Sequence, residues 1–420
     1  MIEHIAVKGY RLFRDFQTDL QPGINVLIGA NASGKSTLVE LLRIIQSCCE
    51  GSVRSGIEPR PSPGQVFHRE GELSIAWGIT IALSQTRDGR GLARCHHAME
   101  IEAPAARPHI TGEALTMLLR KAPAKRSGAL AYPEELRASG LFEPPPPYRV
   151  LFTAQNGRGV IAEGKSRYSL DLGPAEPMLS RATDPRQRNS CRFRDTILRW
   201  SFYSALHVDR VAPLRQSQPA EGTTYLEESG RNLTPVLLSL FTNLDYEEQR
   251  DELLGFLRTA LPQFRTLTPT PEPVSNNVVL QWVERDVSAK FSASDLSDGY
   301  LRLLCLAVIC CNPHPPRLIC IDEPEVGLHP LVLPLVGGLL RRAAQRSQVI
   351  VLTHSPDLLY GMPIESIGVM RRADGEAQIV WPKDVKLLCN LVSREVAGER
   401  ELDPDRLRQA FSSGELDTLG

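Results

Sequence analysis

Four groups of residues in this 420-residue chain have the types and spacing for phosphate chemistry. The first is Gly29-Ala30-Asn31-Ala32-Ser33-Gly34-Lys35-Ser36, with Thr37 behind it, a full match to a phosphate-binding loop. Its glycines allow main-chain N–H groups to curl around a β-phosphate, and the dipole of a following helix favours the same anion. Lys35 would reach the β- and γ-phosphates, and the Ser36 hydroxyl would ligate Mg²⁺. The second group is Asp322-Glu323, two acids after the apolar run Leu318–Ile321. Asp322 would hold Mg²⁺ directly or through water, and Glu323 would orient and polarise an attacking water. The third is His354, at the end of the apolar run Val349–Leu352, where an imidazole can hydrogen-bond a γ-phosphate and report its presence. The fourth is Leu296-Ser297-Asp298-Gly299, leading into an apolar helix over 301–311. Ser297 and Gly299 at that helix start form a second anion site. One chain cannot easily aim two helix N-termini at one γ-phosphate, so two subunits sandwiching two nucleotides is the economical arrangement. An N-capped core helix would look the same in isolation.

These residues need elements to hold them. Ile24–Ile28 reads as a short buried strand, and residues 37–45 as a helix with Leu38, Leu41, Leu42 and Ile45 on one face, giving strand, loop, helix. Residues 318–323 and 349–354 read as buried parallel strands whose ends carry the functional groups, the edge at which open α/β sheets bind ligands. Residues 1–50 hold two strands besides the loop and helix. Between the halves, Glu72–Leu83 and Cys95–Glu102 read as paired strands, and Tyr148–Leu172 as a meander turning at Asn156-Gly157 and Glu163-Gly164. Residues 178–206 read as helical to Tyr203, 232–241 and 246–261 as helices, 278–283 and 289–293 as strands. Residues 104–148 change character, with Arg107, Arg120, Lys121, Lys125, Arg126 and the run Pro144–Pro147, an exposed connector. No heptad pattern is sustained over residues 50–290, which argues against a long coiled coil.

A net charge of −1 gives no global field toward nucleic acid or an anionic membrane. The apolar runs are too short to span a bilayer, and the start Met1-Ile2-Glu3-His4 reads as a strand rather than a signal peptide. The nine cysteines contain no C-x-x-C, and small buried thiols in a reducing cytosol fit them better than zinc. The expected location is cytoplasmic.

The order phosphate loop, Leu-Ser-x-Gly helix, acidic strand, His resembles the ABC-class ATPase head. The chain is most similar to the soluble RecF/SMC-like branch and to a group of bacterial predicted AAA-type ATPases. The shared motifs are Leu296–Gly299, Ile321–Pro330 and Thr353–Pro356. Val7-Lys8-Gly9-Tyr10-Arg11-Leu12-Phe13 looks like the branch's first strand and aromatic-basic turn. Trp200–Tyr203, Pro213-Leu214-Arg215, Gly230–Leu233 and Ser413–Leu416 look like that group too. The resemblance implies an α/β P-loop NTPase fold with an ABC-type head, a mixed sheet, a β-rich flank, an inserted helical subdomain and no long coiled coil. It implies ATP and Mg²⁺ as ligands, Arg11 as a phosphate contact, and a homodimer or higher oligomer. It divides the chain into residues 1–50 and 271–385 as the two halves of the head, 51–270 as an inserted lobe and 386–420 as an extension. Tyr300 departs from the Gln of transporter relatives, and Gln85 and Gln155 are equal candidates for the glutamine loop. The implied function is an ATP-hydrolysing dimeric switch, with Glu323, His354 and Lys35 catalytic, acting on DNA or on an effector protein in repair or anti-phage defence. The alternative is an ATP-dependent scaffold restraining an effector with little turnover. A fused nuclease is disfavoured, because the ~65 residues after His354 lack a clear acidic metal cluster.

Overall fold

The structure, a computed structural model, describes residues 1–51, 53, 74–83, 93–102, 108–119, 130–134, 136, 144, 147–204, 206–273, 275–381, 392–396 and 399–413. The basic cluster at 107–126, Gln85 and the motif residues 414–416 lie outside the described residues. The chain folds as two compact units. One comprises Met1–Pro22, Ala30–Trp200 and Met370–Val380; the other comprises Gly23–Gly29, Ser201–Val369 and Trp381–Gly420. The first fifty residues therefore contribute to both.

The first unit is built on an eight-stranded antiparallel sheet. Its strands are β1 (Ile2–Tyr10), β2 (Phe13–Asp19), β4 (Ser74–Ala82), β5 (Arg94–Glu102), β6 (His109–Leu118), β7 (Tyr148–Gln155), β8 (Arg158–Glu163) and β9 (Ser166–Asp171), in the order β2-β1-β4-β5-β6-β7-β8-β9. The meander turns where expected, with Asn156 (φ 48°) and Gly157 (φ 76°) both left-handed, as a two-residue hairpin loop requires. The helix after the phosphate loop, α1 (Lys35–Glu50), buries the predicted stripe of Leu38, Leu41, Leu42 and Ile45 and ends at Gly51 (φ 119°). It packs on α2 (Arg188–Leu198): Gln46 donates to the carbonyls of Ile197 (3.1 Å) and Trp200 (3.0 Å), and Arg194 Nε to Cys49 O (3.1 Å). A buried hydrogen bond between His97 Nε2 and Glu113, at 3.0 Å, locks the sheet to the turn at Met178, because Glu113 also accepts the N–H groups of Met178 and Leu179. The carboxylate is thereby satisfied without water, as burial demands.

The second unit contains the strand β3 (Ile24–Ile28) and the parallel strands β15 (Leu318–Asp322) and β16 (Gln348–Thr353), in the order β15-β16-β3. β10 (Trp200–Tyr203) borders β15, and β17 (Ile367–Ala373) borders β3 in parallel through Val369. Every residue of β3 and β16 is buried, which explains continuous apolar runs in place of alternation. A separate antiparallel sheet joins β11 (Gln218–Pro219), β12 (Phe264–Pro271), β13 (Asn277–Glu284) and β14 (Lys290–Phe291). Helices α3 (Leu233–Thr242), α4 (Glu247–Ala260), α5 (Asp298–Cys310) and α6 (Leu333–Ala343) complete the layer. The remaining elements are β18 (Glu376–Val380) of the first unit, the hairpin β19 (Ser393–Val396) and β20 (Glu399–Leu402), and α7 (Pro404–Ser412). Among the described residues the longest helix is α1, at 16 residues, so no long coiled coil is present there.

Two expectations change, and one strand that the sequence analysis did not assign appears. Residues 1–50 contain three strands, because Phe13–Asp19 pairs with β1 in register Val7↔Phe16 instead of forming only a turn. Residues 178–206 are not continuous helix: α2 stops at Leu198 and Trp200–Tyr203 is a strand. Phe264–Pro271 is a strand despite two prolines, which the sheet accepts because β12 lies at its edge.

Candidate functional site

In the first unit the phosphate loop is wound by left-handed backbone at Ala32 (φ 61°) and Gly34 (φ 106°). Glycine is required at 34. A Cβ there would lie 2.7 Å from Ala377 Cβ and 3.2 Å from Met370 Cε. Lys35 is 5% exposed and donates its ammonium to the carbonyl of Ala30 at 2.8 Å, closing the loop on itself. Ser33 Oγ is buried with no protein partner. A glycine-lined curl with a buried lysine and an unsatisfied hydroxyl fits an anionic phosphate, which would bring acceptors to both donors. Ser36 and Thr37 occupy the first turn of α1. Arg11 sits in the left-handed turn between β1 and β2 (φ 50°), and its guanidinium is paired with Glu40 of α1.

In the second unit the register places Asp322 beside Leu352 and Leu352 beside Leu27. Asp322 and Leu27 are thus level, two strands apart, roughly 9–10 Å between main chains. Gly29, the start of the phosphate loop, therefore leaves β3 at the same sheet edge at which the acids leave β15. Glu323 follows in a left-handed conformation (φ 52°), its N–H still bonded to Leu352 O at 2.8 Å. An acidic side chain at φ > 0 carries strain that the fold must hold in place. Its carboxylate lies 3.4 Å from His354 Nε2, so the two groups predicted separately meet.

Glu325 holds the imidazole's backbone: its Oε1 accepts the hydroxyl of Thr353 (2.8 Å) and the N–H of His354 (2.7 Å). The Thr353 hydroxyl in turn accepts Ser355 N–H at 2.9 Å. The sequence showed Glu325 as a motif letter without a role, because its partners lie 28 and 29 residues away.

Ser297 caps α5, its Oγ accepting Tyr300 N–H at 3.3 Å. The Tyr300 ring lies against buried Trp282, centroids 5.7 Å apart. Gly299 touches the loop after the acids so closely that a Cβ would stand 2.9 Å from Gly327 O. A cavity of about 360 Å³ opens there, lined among others by His207, Asp209, Asp298, Arg302, Asp322 and Glu323. The second unit thus brings together Asp322, Glu323, His354 and the Ser297–Gly299 turn; Lys35, Ser36 and Arg11 belong to the first. Gln155 ends β7, opposite Arg158 and Gly112, whereas the strand beside β15 is β10, and the loop after it lines the cavity with Ser204 and 206–209. The Ser36 hydroxyl in the first unit and the Asp322 carboxylate in the second are each hard oxygen donors of the kind that Mg²⁺ takes.

Residues 163–359 match the family described as "AAA domain, putative AbiEii toxin, Type IV TA system", and residues 1–49 match an AAA ATPase domain. The structure is similar to an SMC head solved bound to the C-winged helix domain of ScpA, with a TM-score of 0.52 at 13% identity, covering 90% of this chain and 97% of that one. A curated relative is the Nod factor export ATP-binding protein I of Rhizobium leguminosarum bv. viciae, 35% identical over 118 residues, 28% of this chain and 36% of that protein. Another is the DNA replication and repair protein RecF of Lacticaseibacillus casei (strain BL23), 43% identical over 44 residues, 10% of this chain and 12% of that protein. The chain spans about a third of the length of the export proteins that it matches. These matches and the fold support a likeness to the RecF/SMC-like P-loop ATPases, with each AAA-type model covering less than half of the chain. Among the described residues no helix is long and apolar enough to cross a membrane.

Proposed function

We propose that the chain is an ATP-binding and ATP-hydrolysing switch that works as a dimer and acts on an effector protein or on DNA. The observation that carries this reading is the Glu323–His354 contact of 3.4 Å at the sheet edge from which the phosphate loop departs. In this reading the main-chain N–H groups of Gly29–Gly34 and the side chains of Lys35 and Thr37 hold the phosphates, with Arg11 reaching them from its turn. Ser36 and Asp322 would hold Mg²⁺, whose charge would offset that of the phosphates. Glu323 takes the proton of the attacking water, and His354 senses the γ-phosphate. Ser297 and Gly299 donate to the nucleotide of a second copy, so ADP, which lacks those oxygens, loosens the pair. The near-neutral net charge and the toxin–antitoxin description of the matched family support an effector protein, in the setting of anti-phage defence, over DNA. The cytoplasm is the location that this activity fits.

The test is ATP turnover and nucleotide binding in three proteins. Wild type should hydrolyse ATP. Lys35→Ala should lose nucleotide affinity, because a charge-assisted contact disappears. Glu323→Gln should bind ATP and stall with it. Normal turnover in the Glu323→Gln protein refutes the base assignment. Tight ATP binding without turnover in wild type moves the reading to a scaffold that restrains its effector.

A further inference from the structure

We propose that Arg215 is a positioning residue that makes the Leu296–Gly299 turn and the loop beside Glu323 a single mechanical piece. The proposal rests on the reading of Ser297 and Gly299 as donors to a nucleotide held by a second copy. Arg215 is 8% exposed, and its guanidinium is spent on main chain from two separate stretches. Nε donates to the carbonyls of Val208 (2.8 Å) and Asp209 (2.9 Å). Nη1 donates to Ala293 O (3.1 Å) and Leu296 O (2.6 Å), and Nη2 pairs with the Asp298 carboxylate. Val208 and Asp209 line the cavity that also holds Asp322 and Glu323. Leu296 and Asp298 flank Ser297, and Gly299 presses on Gly327 of the loop that follows the acids.

The arginine is itself anchored. Gln218 Nε2 donates to Pro213 O at 3.0 Å and to Arg231 O, while Gln218 Oε1 accepts Thr234 N–H at 3.2 Å, pinning the Pro213–Arg215 turn to the start of α3. A planar fork of five donors can serve carbonyls on both sides at once; a lysine ammonium is a point charge that can serve one. Displacement of the turn by a nucleotide on the second copy would therefore be carried by Arg215 into the wall of the cavity beside the catalytic carboxylate.

A double-mutant cycle tests this in the full-length chain, using Arg215→Lys, Ser297→Ala and the pair, with ATP turnover, ATP affinity and thermal melts as readouts. Arg215→Lys should fold and bind ATP within about threefold of wild type, while kcat falls at least about tenfold. Combining it with Ser297→Ala should slow turnover no further than the slower single variant, since both act through one turn. A folded Arg215→Lys protein with kcat within about twofold of wild type, or multiplicative effects in the pair, overturns the proposal. Ser297→Arg separates the failures. If it hydrolyses ATP normally, the composite-site reading falls and this proposal with it; if it is inactive while Arg215→Lys is normal, only this proposal falls. Should Arg215→Lys fail to fold, amide exchange on the Glu323→Gln chain decides. ATP should protect residues 206–209 and 293–299 together, and protection of one stretch alone overturns the coupling.

Discussion

Replacing Gly34 by alanine separates two costs that the structure predicts for the phosphate loop. The first is conformational: at φ 106° a residue with a Cβ is strained by about 1–2 kcal/mol. The second is steric. The added methyl would sit 2.7 Å from Ala377 Cβ, against an ordinary carbon contact of about 3.5–4.0 Å, and overpacking of this kind costs about 1–3 kcal/mol. Gly34→Ala should therefore destabilise the protein by about 2–5 kcal/mol, the sum of the two. Ala377→Gly removes the atom in the way and leaves the backbone strain. Alone it should cost about 0.5–1 kcal/mol, as a glycine in a strand does. In the double variant it should return most of the steric half, a favourable coupling of about 1–2 kcal/mol. The assay is urea unfolding followed by tryptophan fluorescence, with Trp77 buried in the same unit, together with ATP titration. The double variant should regain stability without regaining ATP affinity, because Ala377→Gly relieves the contact and leaves the backbone strain at residue 34 of the loop. A Gly34→Ala protein as stable as wild type, or an Ala377→Gly change with no rescue, would refute the geometry assigned to this loop.

Glu323→Gly should abolish turnover yet melt later than Glu323→Gln by up to about 1 kcal/mol, since glycine relieves the strain at φ 52° and glutamine keeps it; equal melts for the two would remove strain from the account. Ser297→Arg should block association and turnover while leaving ATP binding to the monomer intact, which light scattering of the Glu323→Gln background with ATP and with ADP can read. Burial pushes the thiols of Cys305 and Cys310 from 9.0 up to about 12. The folded state thus favours the protonated thiol: the stabilisation is fully present below about pH 9 and is lost as pH rises from there toward 12. Melts at pH 8 and pH 10.5 should differ in that direction, and both thiols should resist alkylation until the chain unfolds.

What could be read from the sequence was what is local. The phosphate loop, the α1 stripe and the buried runs of β15 and β16 each declare themselves within a dozen residues, through spacing that backbone geometry imposes. Trp200–Tyr203 did not, because four residues, three of them buried, carry no period that separates strand from helix. Phe264–Pro271 was hidden by prolines that only an edge position tolerates. Arg215 and Glu325 stood inside quoted motifs, but most of their partners are main-chain atoms, up to 81 residues away, which composition cannot show. The loop after β10 was missed for a related reason: nothing in Ser204–Asp209 names the strand that it follows.

The order of strands has a consequence for how the protein is made. β3 leaves the ribosome roughly 320 residues before its partner β16. At typical synthesis rates Ile24–Ile28, five residues destined for complete burial, wait roughly 15 s to a minute for the edge that they pair with. Through that interval the nascent chain displays an unpaired apolar strand next to the phosphate loop. Its yield in the cell should depend on a holdase or on slow release from the ribosome more than its final stability would suggest.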